Sequence, residues 1–350
     1  MRLHPLLEDP EAVFVYREPV SSSPTWGEFQ RVALAAAAAM HWELEGEKVV
    51  LKPNVTAGEH FADPDSGITT HPGFVEGLVE YLGEHGARRG GIYILEAPAG
   101  CDRKPCSWAK TGYLQVAART KAKLRSPLLS SCVWKAIPDP LVHEKELVSR
   151  HVFLSGAVLV NVPKLKTHNM AITTLSMKNL MGTVYVHRRH YCGQAMEELG
   201  VDRETRRRPR HEWMGEAFHE RWQEAWAKRI VDLAKIVRPK LNIIEGVVGR
   251  DGTGFNRGKN YPLGMVVAGI NMVAVDAVAS YLMGFDPAKI IYLRMAAEAG
   301  LGTHELAKIR VYTAQAGELI PCKDLEALRA PEPFRVFRGI RGEALTEPVR

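Results

Sequence analysis

Val158-Leu-Val-Asn-Val162 is an apolar, β-branched run that stops at Pro163, and Lys164-Leu-Lys-Thr-His168 follows with almost no polar spacer. Such a run reads as a buried strand. A second run, Lys48-Val-Val-Leu-Lys-Pro-Asn54, closes in a similar way. In open α/β sheets, ligands bind in the crevice outside the carboxyl ends of the strands. Lys52, Asn54, Lys164 and Lys166, joined by Lys178 and Asn179 from Thr173-Thr-Leu-Ser-Met-Lys-Asn-Leu-Met-Gly182, are therefore candidate substrate-binding residues for a carboxylate or phosphate. The alternative for any one lysine is a solvated basic loop.

Strand patterns at Ala12–Tyr16, Lys48–Lys52, Gly91–Leu95, Ala157–Val162, Leu241–Glu245, Gly264–Val267 and Ile309–Tyr312 are spaced by helical ones. The latter lie at Trp26–Trp42, Pro72–Glu84, Ser107–Ala118, His211–Val237, Met272–Met283 and Pro287–Ala297. This alternation predicts an α/β fold, a mostly parallel sheet or sheets with helices on both faces. Two lobes with a cleft between them would divide near Leu141–Ser155. Residues 1–47 read as a strand and helix packed on the core, 48–300 as the main domain, and 301–350 as a partly irregular extension. Val32-Ala-Leu-Ala-Ala-Ala-Ala-Ala-Met40 is a helix of small residues that must pack on something.

Thr69-Thr-His-Pro-Gly73 reads as a helix entry, with a Thr cap and Pro72 in the first turn. It would bring His71 and a positive helix end to the mouth of the strand ending at Lys52. A plain surface cap is the other reading of that histidine.

Leu51-Lys-Pro-Asn54, Thr70-His-Pro72, Val162-Pro-Lys-Leu-Lys-Thr-His168, Leu175-Ser-Met-Lys-Asn-Leu-Met-Gly182 and Val273-Ala-Val-Asp-Ala277 occur in this order. Together with Arg238-Pro-Lys-Leu-Asn-Ile-Ile-Glu-Gly246, this ordered set resembles the domain of unknown function 362 family over roughly Lys48 to Pro287. The resemblance implies no particular activity. It does imply that many similar chains carry a ferredoxin-like module for iron–sulfur clusters, and that some carry export signals.

Here the five cysteines, Cys101, Cys106, Cys132, Cys192 and Cys322, are scattered. They lack the closely spaced runs that hold such clusters, so no intrinsic iron–sulfur cluster is expected. Their odd number and unpaired spacing favour a reducing compartment. Met1–Pro10 has acidic residues and prolines where a secretory leader needs an apolar run. Val32–Met40 is far shorter than the roughly 20 residues that span a bilayer. A cytoplasmic chain with no membrane partner is expected.

The net charge of +6 raises the question of nucleic acid. Arg203-Glu-Thr-Arg-Arg-Arg-Pro-Arg-His211 is the densest basic run, but Trp213, Phe218, Trp222 and Trp226 follow at helical spacing. That spacing fits a helix packed on the body better than a base-stacking platform, so no nucleic-acid partner is expected.

Acids gather in the second half. Glu245 ends a strand, and Gly249-Arg-Asp-Gly-Thr-Gly254 is a Gly-rich stretch without a Walker sequence. Glu245 and Asp251 are candidate ligands of a divalent metal. Asp276, inside a helix, either caps another element or pairs with a site lysine, since an unpaired buried charge is costly.

Two functions fit. One is a small-molecule enzyme with an anionic substrate and His168 or His71 moving the proton, because histidine titrates near neutrality. Crowded lysines also depress one another's pKa, which would allow one to act as base or amine nucleophile. The other is a binding or redox-accessory protein that holds a phosphorylated cofactor or an electron-transfer partner in the same basic pocket. The sequence names no substrate, cofactor or oligomeric state.

Overall fold

The computed structural model describes residues 1–55, 63–96, 108, 110–208, 213–255, 257–315 and 317–337. The first part alternates β1 (Ala12–Arg17), α1 (Trp26–Ala39), β2 (Lys48–Pro53), α2 (Pro72–Glu84), β3 (Ile92–Leu95), α3 (Tyr113–Thr120) and β4 (Lys123–Arg125). A hairpin of β5 (Cys132–Ala136) and β6 (Lys145–Ser149) forms its own two-stranded sheet. Then come β7 (Ala157–Val162), β8 (Lys164–His168), β9 (Ile172–Thr173), α4 (Ser176–Asn179), α5 (Tyr191–Glu198), α6 (Arg203–Arg207) and α7 (Glu216–Ile236). The last part holds β10 (Leu241–Arg250), β11 (Asn260–Gly269), α8 (Met272–Leu282), α9 (Ile291–Glu298), β12 (Arg310–Gln315) and β13 (Glu318–Pro321).

One mixed sheet runs in the order β13-β12-β1-β11-β10-β7-β2-β3-β4, with β8 and β9 branching from β10. Strands β10, β7, β2, β3 and β4 are parallel neighbours, and β11 is antiparallel to both β10 and β1. The central runs are apolar almost throughout because both faces are covered. Val49, Leu51, Val160 and Ile243 join the core that holds α1 and α2. Their neighbours Val50, Leu159 and Ile244 join the opposite core with α7, α8 and α9. Each such side chain contributes about 1.5–3 kcal/mol on burial, so the two-residue strand period fastens a helical layer to each face.

The small residues of α1 pack on α2. A Cβ on Gly77 would lie 2.6 Å from the Gln30 carbonyl oxygen and 3.0 Å from Ala33 Cβ, so only glycine allows this approach. Helix α1 starts with a capping box between Thr25 and Glu28, and it ends at Ala39, short of the expected Trp42.

Two expectations are revised. Lys164–His168 is a buried strand rather than a loop. Pro163 bends the chain between β7 and β8, and both strands pair in succession with β10, with the Glu245 N–H donating to the Pro163 carbonyl at 2.8 Å. Strand β10 continues through Arg250, so the first two residues of the Gly-rich stretch, Gly249 and Arg250, are strand. The strand expected at Ile309–Tyr312 is present as β12 beside β1, and the segment after it buries Phe334 and Val336. The expected start of a helix at Ser107, the basic run's end at 209–211 and the Pro/Glu stretch at 346–348 lie outside the described residues.

Candidate functional site

Lys52, Asn161 and Asn242 face one another in register on β2, β7 and β10. Their side chains form a continuous polar line under the strand ends. Asn161 donates to Asn242 Oδ1 at 3.0 Å and to the Ser176 carbonyl at 2.9 Å. Asn179 donates to Asn161 Oδ1 and to the Lys52 carbonyl, both at 2.8 Å, and accepts from Lys52 Nζ at 3.1 Å. Lys52 Nζ also pairs with Glu96, the residue directly after β3. Burial lowers the lysine's pKa, and the Glu96 carboxylate opposes that shift. The pair fits because position 182 has no side chain: a Cβ there would lie 2.5 Å from a Glu96 oxygen and 2.6 Å from Lys52 Cε.

A second buried pair sits beside the first. Lys164 Nζ donates to Glu245 Oε2 at 2.6 Å, and both residues are almost fully buried. The same carboxylate oxygen accepts from the His71 backbone N–H at 3.2 Å. The positive end of α2 is thus already matched by an acid of this chain. His71, rather than a threonine, caps the helix, with Nδ1 accepting from Gly73 N–H at 3.0 Å. Its Nε2 faces Asp65 at 3.2 Å and its ring stacks on Phe29 at 3.7 Å. Burial, with the charge of Lys164 adding, pushes this imidazole down to about 3. It is neutral, and both ring nitrogens are engaged. Thr70 instead joins two strand ends, accepting from Asn54 N–H at 2.9 Å and donating to the Val162 carbonyl at 2.7 Å.

Lys166 differs from both paired lysines. Its side chain is 1% exposed, yet among the described residues its amine makes one hydrogen bond, a long one of 3.4 Å to the Gly254 carbonyl. Its Nζ lies over the Phe255 ring at 4.6 Å. Burial, then Lys178, Arg250 and Lys164, drive its pKa well below that of an ordinary lysine, with Glu96 opposing. Each nearby like charge adds repulsion, which is stronger in a buried site than in water. The ring face and carbonyl return roughly 1–2 kcal/mol together. Desolvation and repulsion therefore win.

Arg250, opposite Lys166 on β10, spends its guanidinium on neutral acceptors: Phe255 O at 2.6 and 2.9 Å, Asn260 Oδ1 at 2.7 Å and Ser66 O at 3.2 Å. Lys178 is partly exposed at the end of α4. His168 accepts from Met170 N–H at 3.1 Å through Nδ1, which places its proton on Nε2, and its ring meets Phe255 edge-on at 5.8 Å. His168, Lys166 and Phe255 thus form one local group.

The structure does not bring all the acids together. Asp251 accepts from Tyr261 OH at 3.0 Å, Arg335 Nε at 2.8 Å and Lys259 N–H, so it pins the C-terminal segment. Among the described residues it shares no hydrogen-bond partner with Glu245. Asp276 caps α4, accepting from Ser176 N–H at 2.7 Å and Met177 N–H at 3.0 Å. Burial nevertheless raises its pKa to about 7. Among the described residues no three His, Cys, Asp or Glu side chains gather as a metal site. Cys132, Cys192 and Cys322 lie in β5, in α5 and after β13, and Cys101 and Cys106 fall outside the described residues.

Sequence reasoning missed Glu96, Asn242, Arg250 and Gly182. For Glu96 a signal existed, since Ile92-Tyr-Ile-Leu-Glu96 is an apolar run ending in an acid, the complement of Val49-Val-Leu-Lys52. Asn242 lies at the start of a run whose acidic end drew attention, and nothing local marks Gly182.

No solved structure matches the chain. A thylakoid-associated protein of Synechocystis sp. is 24% identical over 262 residues, covering 75% of this chain and 70% of that protein. The family described as "Domain of unknown function (DUF362)" matches residues 49–281, which span every strand end and acid of the site, and the chain belongs to that family.

Proposed function

We propose that the chain is a small-molecule enzyme whose anionic substrate, a carboxylate or phosphate, binds at the ends of β2 and β8. Lys166 and Lys178 meet the anion, with the field of Arg250 behind them. Lys52 and Lys164, each neutralised by its own glutamate, set the walls with Asn54 and Asn179. His168 is the proton-transfer group, because His71 is committed to its helix and to Asp65.

The observation that carries this reading is Lys166: a buried amine with no carboxylate partner among the described residues, in the field of Lys178, Arg250 and Lys164. Burial and repulsion disfavour the ammonium form, and an anion bound beside the amine would offset both, so a bound anion would complete the arrangement. Asn54 Oδ1 and Thr69 Oγ1, both buried without a partner among the described residues, add unspent polar capacity beside β2 and α2.

No helix among the described residues is long and apolar enough to cross a membrane. A cytoplasmic location is part of this proposal. The relative's name points instead to a membrane surface, and fractionation of the native protein decides between them.

The test is calorimetric titration with inorganic phosphate and with malonate, on the wild type and on Lys166→Ala. Saturable binding that the substitution weakens tenfold to a hundredfold is expected, because a charge-assisted hydrogen bond contributes roughly 1.5–3 kcal/mol. A folded Lys166→Ala protein that binds both anions as the wild type does overturns the site. Native mass spectrometry of freshly purified protein then identifies any retained substrate.

A further inference from the structure

We infer that Lys166 is the nucleophile of the site, and that its Nζ captures the carbonyl carbon of an anionic oxo compound as an imine. The inference rests on the anion site proposed above and names the substrate class as a 2-oxo acid or a comparable anionic aldehyde.

Four features of position support it. Lys166 lies on a strand, and β8 holds it opposite Arg250 on β10. An amine nucleophile is best placed on such a rigid element. Lys164, two residues earlier, has the same burial but is paired to Glu245, so among the described residues a paired and an unpaired lysine stand two positions apart on one strand. Among the described residues no acid forms an ion pair with Lys166 to hold the proton on its nitrogen, whereas Lys52 and Lys164 each have one. Finally, Lys178 is partly exposed next to it in charge terms and is suited to the carboxylate or phosphate of the incoming carbonyl compound. Burial and adjacent cations are the two devices that make a lysine nucleophilic near neutral pH. The lowered pKa of Lys166 is consistent with both.

The step balances without a redox partner. The Nζ lone pair forms a C–N bond to the carbonyl carbon, and the carbonyl oxygen takes a proton to give a carbinolamine. The C–O bond then breaks, and the oxygen departs as water carrying both hydrogens that the neutral amine held. Amine plus carbonyl gives imine plus water.

The experiment uses the full chain at pH 7 with pyruvate and sodium cyanoborohydride, followed by intact-mass measurement and peptide mapping. The expected result is a single reduced adduct on the peptide containing Lys166, formed at least tenfold faster than at any other lysine. Acetone, which lacks the anion, should label that position at least tenfold more slowly than pyruvate. Lys166→Arg keeps the charge but cannot form the imine. With its fold verified by circular dichroism and melting, it should lose the adduct. Labelling scattered over surface lysines, or none at Lys166, overturns the inference. If phosphate binds but no adduct forms, the imine fails and the anion site stands. If Lys166 is labelled while phosphate and malonate do not bind and acetone labels as fast as pyruvate, the anion site fails and the substrate class falls with it.

Discussion

Lys52 Nζ lies 3.1 Å from Asn179 Oδ1, although 127 residues separate them in the chain. The contact ties the end of β2 to the last residue of α4. Through Asn179 Nδ2 it also reaches β7, by way of Asn161. Three elements that meet only in the folded state thus share one amide.

Asn179→Ala should for that reason destabilise the fold out of proportion to its size. It removes two donated bonds and one accepted bond, and leaves Asn161 Oδ1 buried without a donor. Leaving buried groups unsatisfied costs about 1–3 kcal/mol each. A loss of about 2–4 kcal/mol is expected in urea unfolding, seen as a lower midpoint at unchanged slope. A midpoint within error of the wild type would show that the amide line is not structural.

The Lys52–Glu96 pair should respond asymmetrically. Glu96→Ala leaves a buried ammonium without its carboxylate, which typically costs 3–5 kcal/mol. Replacing both partners, with Lys52→Met and Glu96→Leu, removes the charges together and should recover more than half of that loss. Gly182→Ala should resemble the single substitution, since its methyl would overlap both partners. Chemical denaturation of the four proteins checks this. Additive losses in the double variant would contradict it.

Asp276 gives the fold a pH dependence of predictable sign. Its pKa rises from 3.8 in the ordinary state to about 7 in the folded protein. Between those values the folded chain keeps the proton while the unfolded chain has released it. The resulting stability is fully present below the ordinary value and is lost as pH rises through about 7. Asp276→Asn cannot titrate, so the stability advantage of the wild type over it should shrink by a few kcal/mol from pH 4.5 to pH 8. Paired denaturation curves at several pH values measure this. A constant or growing difference rules it out. The variant should also loosen α4, because an amide offers one acceptor where the carboxylate serves two N–H groups.

How much of this was legible in the sequence follows from range. The central strands announce themselves because burial on both faces demands a continuous apolar run, as in Val158-Leu-Val-Asn-Val162. Lys52, Lys164 and Lys166 stood out because lysines rarely abut such runs. Strand β8 was hidden because Pro163 reads as a stop, and because Lys-Leu-Lys-Thr-His looks solvated until its partners are known. Those partners, Glu245 and Arg250, are more than 80 residues away. The cap of α4 by Asp276 was legible only as one of two outcomes, since burial demands a partner but does not say which. Gly182 could not be read at all, because its meaning is the space that it leaves for Glu96.

Arg250→Lys should separate scaffold from charge. The guanidinium fork joins the turn at Ser66, the Phe255 carbonyl and Asn260 at the start of β11, which are four contacts that one ammonium cannot reproduce. The substitution keeps the positive field at Lys166, so phosphate affinity should change by less than about threefold, a factor worth under 1 kcal/mol. Stability should nevertheless fall by about 1–3 kcal/mol, since the carbonyls of Phe255 and Ser66 each lose a buried donor. Amide hydrogen exchange should quicken at residues 63–68 and 253–260 and stay unchanged in β2 and β7, because only the former depend on the fork. Arg250→Met, which removes the charge as well, should lower phosphate affinity while loosening the same segments. If Arg250→Lys weakens phosphate as strongly as Arg250→Met does, the guanidinium touches the anion directly, and its place is among the binding groups rather than behind them.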